Sequence, residues 1–118
     1  MTPTEIAPDE RTAHLPHLRA LYPALARTVR FPSGKVVLTP GASQALRENE
    51  GCALLDYLIR HLTGDWGNVD EQDRKANDDA LRLGTRLLSA YELPDNQTLW
   101  IITEADRSAT TALLPEEY

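Results

Sequence analysis

Cysteine, methionine and phenylalanine each occur once in this 118-residue chain, and aromatics of all kinds make up only 6%. The lone thiol, Cys52, excludes an internal disulfide. It stands at the start of an apolar helical run, which reads as a buried, inert thiol. A catalytic thiol would want a paired histidine, and His61, nine residues on, falls toward the other side of a continuous helix. Histidine is scarce too, at three. His14 and His17 are spaced to share a helix face, but no further His or Cys cluster joins them, so neither a metal centre nor a cofactor is expected. Nothing resembles a secretory signal, and no apolar run approaches the roughly 20 residues of a membrane helix. A cytoplasmic protein that does not engage a membrane is therefore expected. An excess of positive charge is also missing: 12 Lys and Arg stand against 18 Asp and Glu, a net charge of −6. Proteins whose main partner is a phosphate backbone carry a basic patch or stripe. Here the basic residues are scattered, which disfavours nonspecific nucleic-acid binding yet leaves room for a groove with a few arginines. The acidity is too mild for a mimic of duplex DNA.

What is present suits one ordinary domain, with 42% hydrophobic and 25% charged residues. Residues 1–31 read as an N-terminal helical extension and 32–118 as the core domain. Leu15, Leu18, Leu21 or Tyr22, Leu25 and Val29 recur at spacings of three and four, which predicts a short helix or two broken by Pro23. Phe31-Pro-Ser-Gly34 is a turn. Lys35–Thr39 is a β-branched strand stopped by Pro40-Gly41, and helices follow over Ala42–Glu50, Ala53–Leu62 and Asp70–Leu83. The second of these carries the strongest apolar stripe, Leu54, Leu55, Leu58, Ile59 and Leu62. Gly84 suits a C-terminal cap. Three strands then follow at Arg86–Leu93, Thr98–Glu104 and Ala109–Leu114, and their short turns dictate antiparallel neighbours. Apolar weight on both sides of Thr98–Glu104 marks a central strand, one face under helices and the other under the N-terminal segment or a partner. The expected fold is α+β, two or three helices packed on a mainly antiparallel sheet of three or four strands.

Two groups of residues carry candidate chemistry. His61 closes the leucine stripe and precedes Gly64-Asp65-Trp66-Gly67. It can act as a general acid or base, with an ordinary pKa about 6.5, or simply cover the helix end. In the glycine-bounded loop Asp65 can bond nearby amides while Trp66 pins the loop down; a binding role for Asp65 and Trp66 is the alternative. Arg86 and Arg107 bracket the three strands, which Thr103, Ser108, Thr110 and Thr111 decorate. Arginines with hydroxyls near a histidine can hold a phosphate. The plainer expectation pairs Arg107 with Glu104 or Asp106 in a turn and leaves the threonines on an outer face. Glu104, at a strand end, is a further candidate for binding or for a base.

From Lys35 onward the chain resembles a family of small plasmid, integrative-element and phage-borne proteins, often labelled plasmid-related. The matching residues are Thr39-Pro-Gly-Ala42, His61 with Gly64-Asp-Trp-Gly67, Asn77, Arg86-Leu-Leu-Ser-Ala-Tyr91 and Leu99-Trp-Ile-Ile-Thr-Glu-Ala-Asp-Arg-Ser108 through Leu113-Leu-Pro-Glu-Glu-Tyr118. The resemblance implies a mobile-element setting. In that setting the charge fits a non-enzymatic accessory protein whose acidic surface binds a host or element-encoded protein, for instance to inhibit restriction or CRISPR defence. The order of helices before an antiparallel sheet is also similar to barnase–RelE-like RNA-cleaving proteins. That analogy implies an alternative, an RNA-cleaving or RNA-binding protein using His61, Arg86 and Arg107, in which His61 transfers protons, the two arginines hold phosphate, and Thr110 or Thr111 assists. The two readings part on geometry, since an enzyme needs His61 and an arginine converging in one cleft.

Overall fold

A computed structural model of the protein describes Thr4–Glu5 and residues 29–118. The helix or helices expected between residues 9 and 28 lie outside the described residues, as do His14 and His17. Thr4–Glu5 forms a two-residue strand, β1. Lys35–Leu38 is β2, and Thr39 turns the chain into helix α1, Pro40–Glu48. Thr39 is extended (φ −74°, ψ 158°), its Oγ1 accepts from the Ala42 N–H, and Pro40 loses no bond in the first helical turn. These features start the helix two residues before the expected Ala42. Leu54–Leu62 is α2, the leucine stripe. Helix α3, Glu71–Leu83, is capped by Asp70, whose carboxylate accepts from the Asp73 N–H, and is closed by Gly84 in the left-handed region at φ 74°. Leu87–Glu92 (β3), Thr98–Thr103 (β4) and Ala109–Leu113 (β5) follow, and one 3₁₀ turn spans Pro115–Glu117.

The expected α+β architecture is what forms: three helices on a mixed, mostly antiparallel sheet. Its four main strands run in the order β2-β5-β4-β3, with the short β1 beyond β2. The turns make β3, β4 and β5 antiparallel, with Tyr91 opposite Leu99 and Ile101 opposite Ala112. β2 lies parallel to β5, Val36 opposite Thr110. That pairing was not foreseen, because its partners stand more than seventy residues apart and no turn specifies it.

Alternation sends Val36, Leu38, Leu87, Tyr91, Leu99, Ile101 and Ala112 to one face, and all three helices pack there. Ala42, Ala45, Leu46 and Tyr57 meet one end of that face, while Leu58, Leu62 and Ala80 meet the other together with Phe31 and Trp66. The opposite face carries Leu88, Ala90, Trp100, Ile102 and Leu113. Helix α3 is an unusual member of the helix layer, since only Asn77 and Ala80 of its thirteen residues are buried. Polar clamps attach it. The Asn77 amide donates to the Leu88 carbonyl (2.7 Å) and accepts from the Leu88 N–H (3.0 Å), as a neighbouring strand would. Two residues along the same edge, Trp66 O accepts from the Ala90 N–H (3.0 Å) and the Asn68 N–H donates to Ala90 O (2.6 Å). The outer edge of β3 is thus covered by a side chain and a loop, which blocks pairing with another chain.

Candidate functional site: a sealed histidine and the loop beside it

His61 sits in the last turn of α2 on the side that faces the sheet, and none of it is exposed. Three inward-pointing hydroxyls from three neighbouring strands receive it. Nδ1 lies 2.6 Å from Ser89 Oγ on β3 and Nε2 lies 2.8 Å from Thr103 Oγ1 on β4. Thr103 Oγ1 lies 2.7 Å from Thr110 Oγ1 on β5, and Thr110 donates to the Ser33 carbonyl at 2.7 Å. A carbonyl can only accept, so the proton directions follow along the chain. Thr110 spends its hydrogen on Ser33 and accepts from Thr103. Thr103 accepts from His61 Nε2–H, and in the neutral ring that burial enforces Nδ1 accepts from Ser89. The imidazole is therefore the neutral Nε2–H tautomer in a one-way relay whose members polarise one another. Burial pushes the His61 pKa down to about 3, and the positive charge of Arg107 adds to the shift.

Aromatic rings close the remaining sides. Phe31 meets the imidazole edge-on with ring centres 5.2 Å apart, and Trp66 does so at 5.8 Å. Trp66, itself buried, donates from Nε1 to Asp78 Oδ1 at 3.0 Å and so ties the loop to α3. Asp65 remains at the surface, where Arg60 Nε donates to it at 2.7 Å and the Gly67 N–H at 3.2 Å. Those bonds, Arg60 first, hold its carboxyl below the usual range. Gly67 has no substitute in this loop: φ is 73°, and a Cβ would stand 2.2 Å from Ala90 O. Arg60 also lies over the Tyr91 ring at 4.5 Å, and the Tyr91 hydroxyl donates to Asp65 O at 2.6 Å.

The other candidates go elsewhere. Arg107 donates to the carbonyls of Ala80, Thr85, Glu104 and Ala105 at 2.7–3.3 Å, and its guanidinium lies 5.7 Å from the Phe31 ring centre. It joins α3 to the β4–β5 turn through backbone oxygens, in place of the expected pairing with the Glu104 or Asp106 carboxylates. Arg86 donates from Nη1 to the Tyr118 hydroxyl at 2.5 Å. Glu104 is exposed at the turn, bonded there through its backbone. Thr103 and Thr110 point inward, not onto an outer face; Thr111 is half-buried on the opposite side and Ser108 is exposed. Sequence reasoning missed Ser89. Its signal was its inward position in the alternation Leu87, Ser89, Tyr91, opposite the apolar partners of a histidine on an apolar helical stripe. Cys52 is half-buried, not fully buried as expected, and accepts from the Tyr57 hydroxyl at 3.4 Å.

Two shallow surface pockets flank the Gly64–Gly67 loop. One, of about 280 Å³, lies between the loop and α3 beside Arg74 and Asp78; the other, of about 310 Å³, lies beside Arg60, Tyr91 and Glu92. Neither is lined by His61, Arg86 or Arg107. Among the described residues no group of His, Cys, Asp and Glu has the arrangement to hold a metal ion, and no helix is long and apolar enough to cross a membrane. Comparison with known proteins finds no matching family model, curated protein or solved structure.

Proposed function

We propose that this protein acts by binding another protein, as a cytoplasmic accessory factor of a mobile element, with a component of host restriction or CRISPR defence as the partner class that such a setting suggests. The observation that supports this reading most is the sealing of His61. A general acid or base must reach a substrate proton within hydrogen-bond distance, and both imidazole nitrogens here are spent inside the relay. Arg107 spends its donors on backbone carbonyls, and Arg86 is engaged with Tyr118. The net charge of −6 points the same way, since it repels a phosphate backbone and leaves a surface suited to basic patches on proteins.

The test is affinity recovery of the tagged chain from cells carrying a defence system, alongside RNA integrity after induced expression. A defence component retained by the wild type, with intact RNA, is the expected result. Growth arrest with RNA breakage that Arg86→Ala relieves at equal protein level would overturn the proposal in favour of an RNA-cleaving enzyme. Arg86 is chosen because it is exposed and its loss leaves the relay intact.

A further inference from the structure

The segment after β5 reaches two separate surfaces within two consecutive residues. Glu117 lays its carboxylate on the start of α1. Oε1 accepts from Thr39 Oγ1 (2.5 Å) and the Leu114 N–H (2.8 Å), and Oε2 accepts from the Gly41 N–H (3.0 Å). A Cβ on Gly41 would stand 2.6 Å from that carboxylate, so a glycine is required for the acid to approach. Tyr118 turns to the sheet face away from the helices. It meets Trp100 edge-on at 5.7 Å, and Arg86 covers it at 5.4 Å from the ring centre. Phe31, Tyr57, Trp66 and Tyr91 are all buried, so Trp100 and Tyr118 are the aromatics among the described residues that keep exposed surface. They meet at one point, with an arginine. Tryptophan, tyrosine and arginine are the residues in which the energy of protein interfaces concentrates. The grip on Tyr118 is nevertheless loose, for the residue is 65% exposed.

Resting on the protein-binding reading above, we propose that residues 115–118 are a built-in occupant of a peptide-docking surface. The partner that displaces them carries an acidic residue followed directly by an aromatic one. The occupant itself defines that chemistry. A helix N-terminus that offers the Thr39 hydroxyl hydrogen and the Gly41 N–H selects a carboxylate, and the Trp100–Arg86 slot selects a ring one residue later. An RNA phosphate and base would satisfy the same two features less well, because the net charge of −6 opposes a polyanion far more than a single carboxylate. Tyr118 is the weaker of the two anchors, so the segment opens from its ring, and a competitor that supplies both groups replaces it.

The experiment uses the full chain carrying Glu117→Ala and Tyr118→Ala, isotopically labelled, titrated with an acetylated and amidated peptide of residues 114–118. Saturable NMR shifts at the Gly41 and Ala42 amides and the Trp100 indole N–H are expected. Apparent affinity for the wild type should be about tenfold weaker or more, because its own segment occupies the site. Peptides with alanine in place of the acid or the ring should lose the shifts. Should the double variant fail to fold, Tyr118→Ala alone keeps the Glu117 cap and should still show peptide-induced shifts at Trp100. No saturable shift, or equal shifts from a short oligouridylate, would overturn the inference. Recovery of a protein partner in the affinity experiment would then still stand for the protein-binding reading.

Discussion

His61 shows how one buried side chain makes a fold specific. Neutral and fully bonded, it completes a relay across three strands; charged, it would need Ser89 to accept where Ser89 now donates. Its native pKa of about 3 lies below the ordinary 6.5. Between those values the unfolded chain binds a proton that the native chain refuses, so stability rises with pH in that window. It is fully present above pH 6.5 and declines on acidification, by up to about 1.4 kcal/mol per pH unit. Urea unfolding at pH 7, 6 and 5 should show the decline, and His61→Gln should flatten it in that range, where few carboxylates titrate. A wild-type profile level from pH 7 to 5 would refute this account. Glycines make a second residue-scale contrast. Gly84→Ala places a side chain at φ 74° in open space and should cost about 1 kcal/mol from backbone strain alone. Gly67→Ala has the same φ problem plus a Cβ 2.2 Å from Ala90 O, and should cost clearly more in the same measurement.

At the scale of elements, α3 depends on polar clamps where α2 depends on a leucine stripe. Asn77→Ala would leave the Leu88 N–H and carbonyl unpaired in a half-buried place and should cost about 1–3 kcal/mol. It would also open the β3 edge. We therefore expect the variant to self-associate at concentrations where the wild type stays unchanged by sedimentation velocity. Unchanged urea midpoints and unchanged sedimentation would show that the clamp is incidental. Helix α2 was legible from its stripe, and the end of α3 from its capping residue Gly84, because those signals are local in sequence. The Asn77 clamp was not legible. An asparagine in a helix reads as a solvated residue until the strand it serves is known to lie beside it.

For the molecule as a whole, acid should act in two stages. His61 governs the first, below pH 6.5. In the second, the carboxyls held below their ordinary range become protonated. Burial pushes Glu117 up, but the bonds from Thr39 and from backbone N–H groups outweigh it and hold its carboxyl low. A carboxylate with a depressed native pKa stabilises above its unfolded value, near 4.5, and loses that contribution as pH falls. A Glu117→Gln chain should therefore resemble the wild type most closely at the acid end of the profile and differ most near neutrality. A difference that stayed constant across pH would mean that the carboxylate charge contributes nothing.

Periodicity and turn chemistry in the sequence determined the three helices, the antiparallel β3-β4-β5 unit and the α+β class, because each rests on residues within a few positions of one another. The pinned Gly64–Gly67 loop was readable for the same reason. Tertiary structure alone decided that β2 runs parallel to β5, that Ser89, Thr103 and Thr110 line up beneath His61, that Arg107 spends itself on carbonyls, and that Glu117 and Tyr118 grip opposite faces of the domain. The contacts that decide these arrangements join residues from 27 to 78 positions apart. Hydroxyls and charges carry no mark in sequence of which face they will meet. Only closing the sheet under its helices turned a histidine that read either as an acid or base or as a cover for the helix end into a sealed structural link.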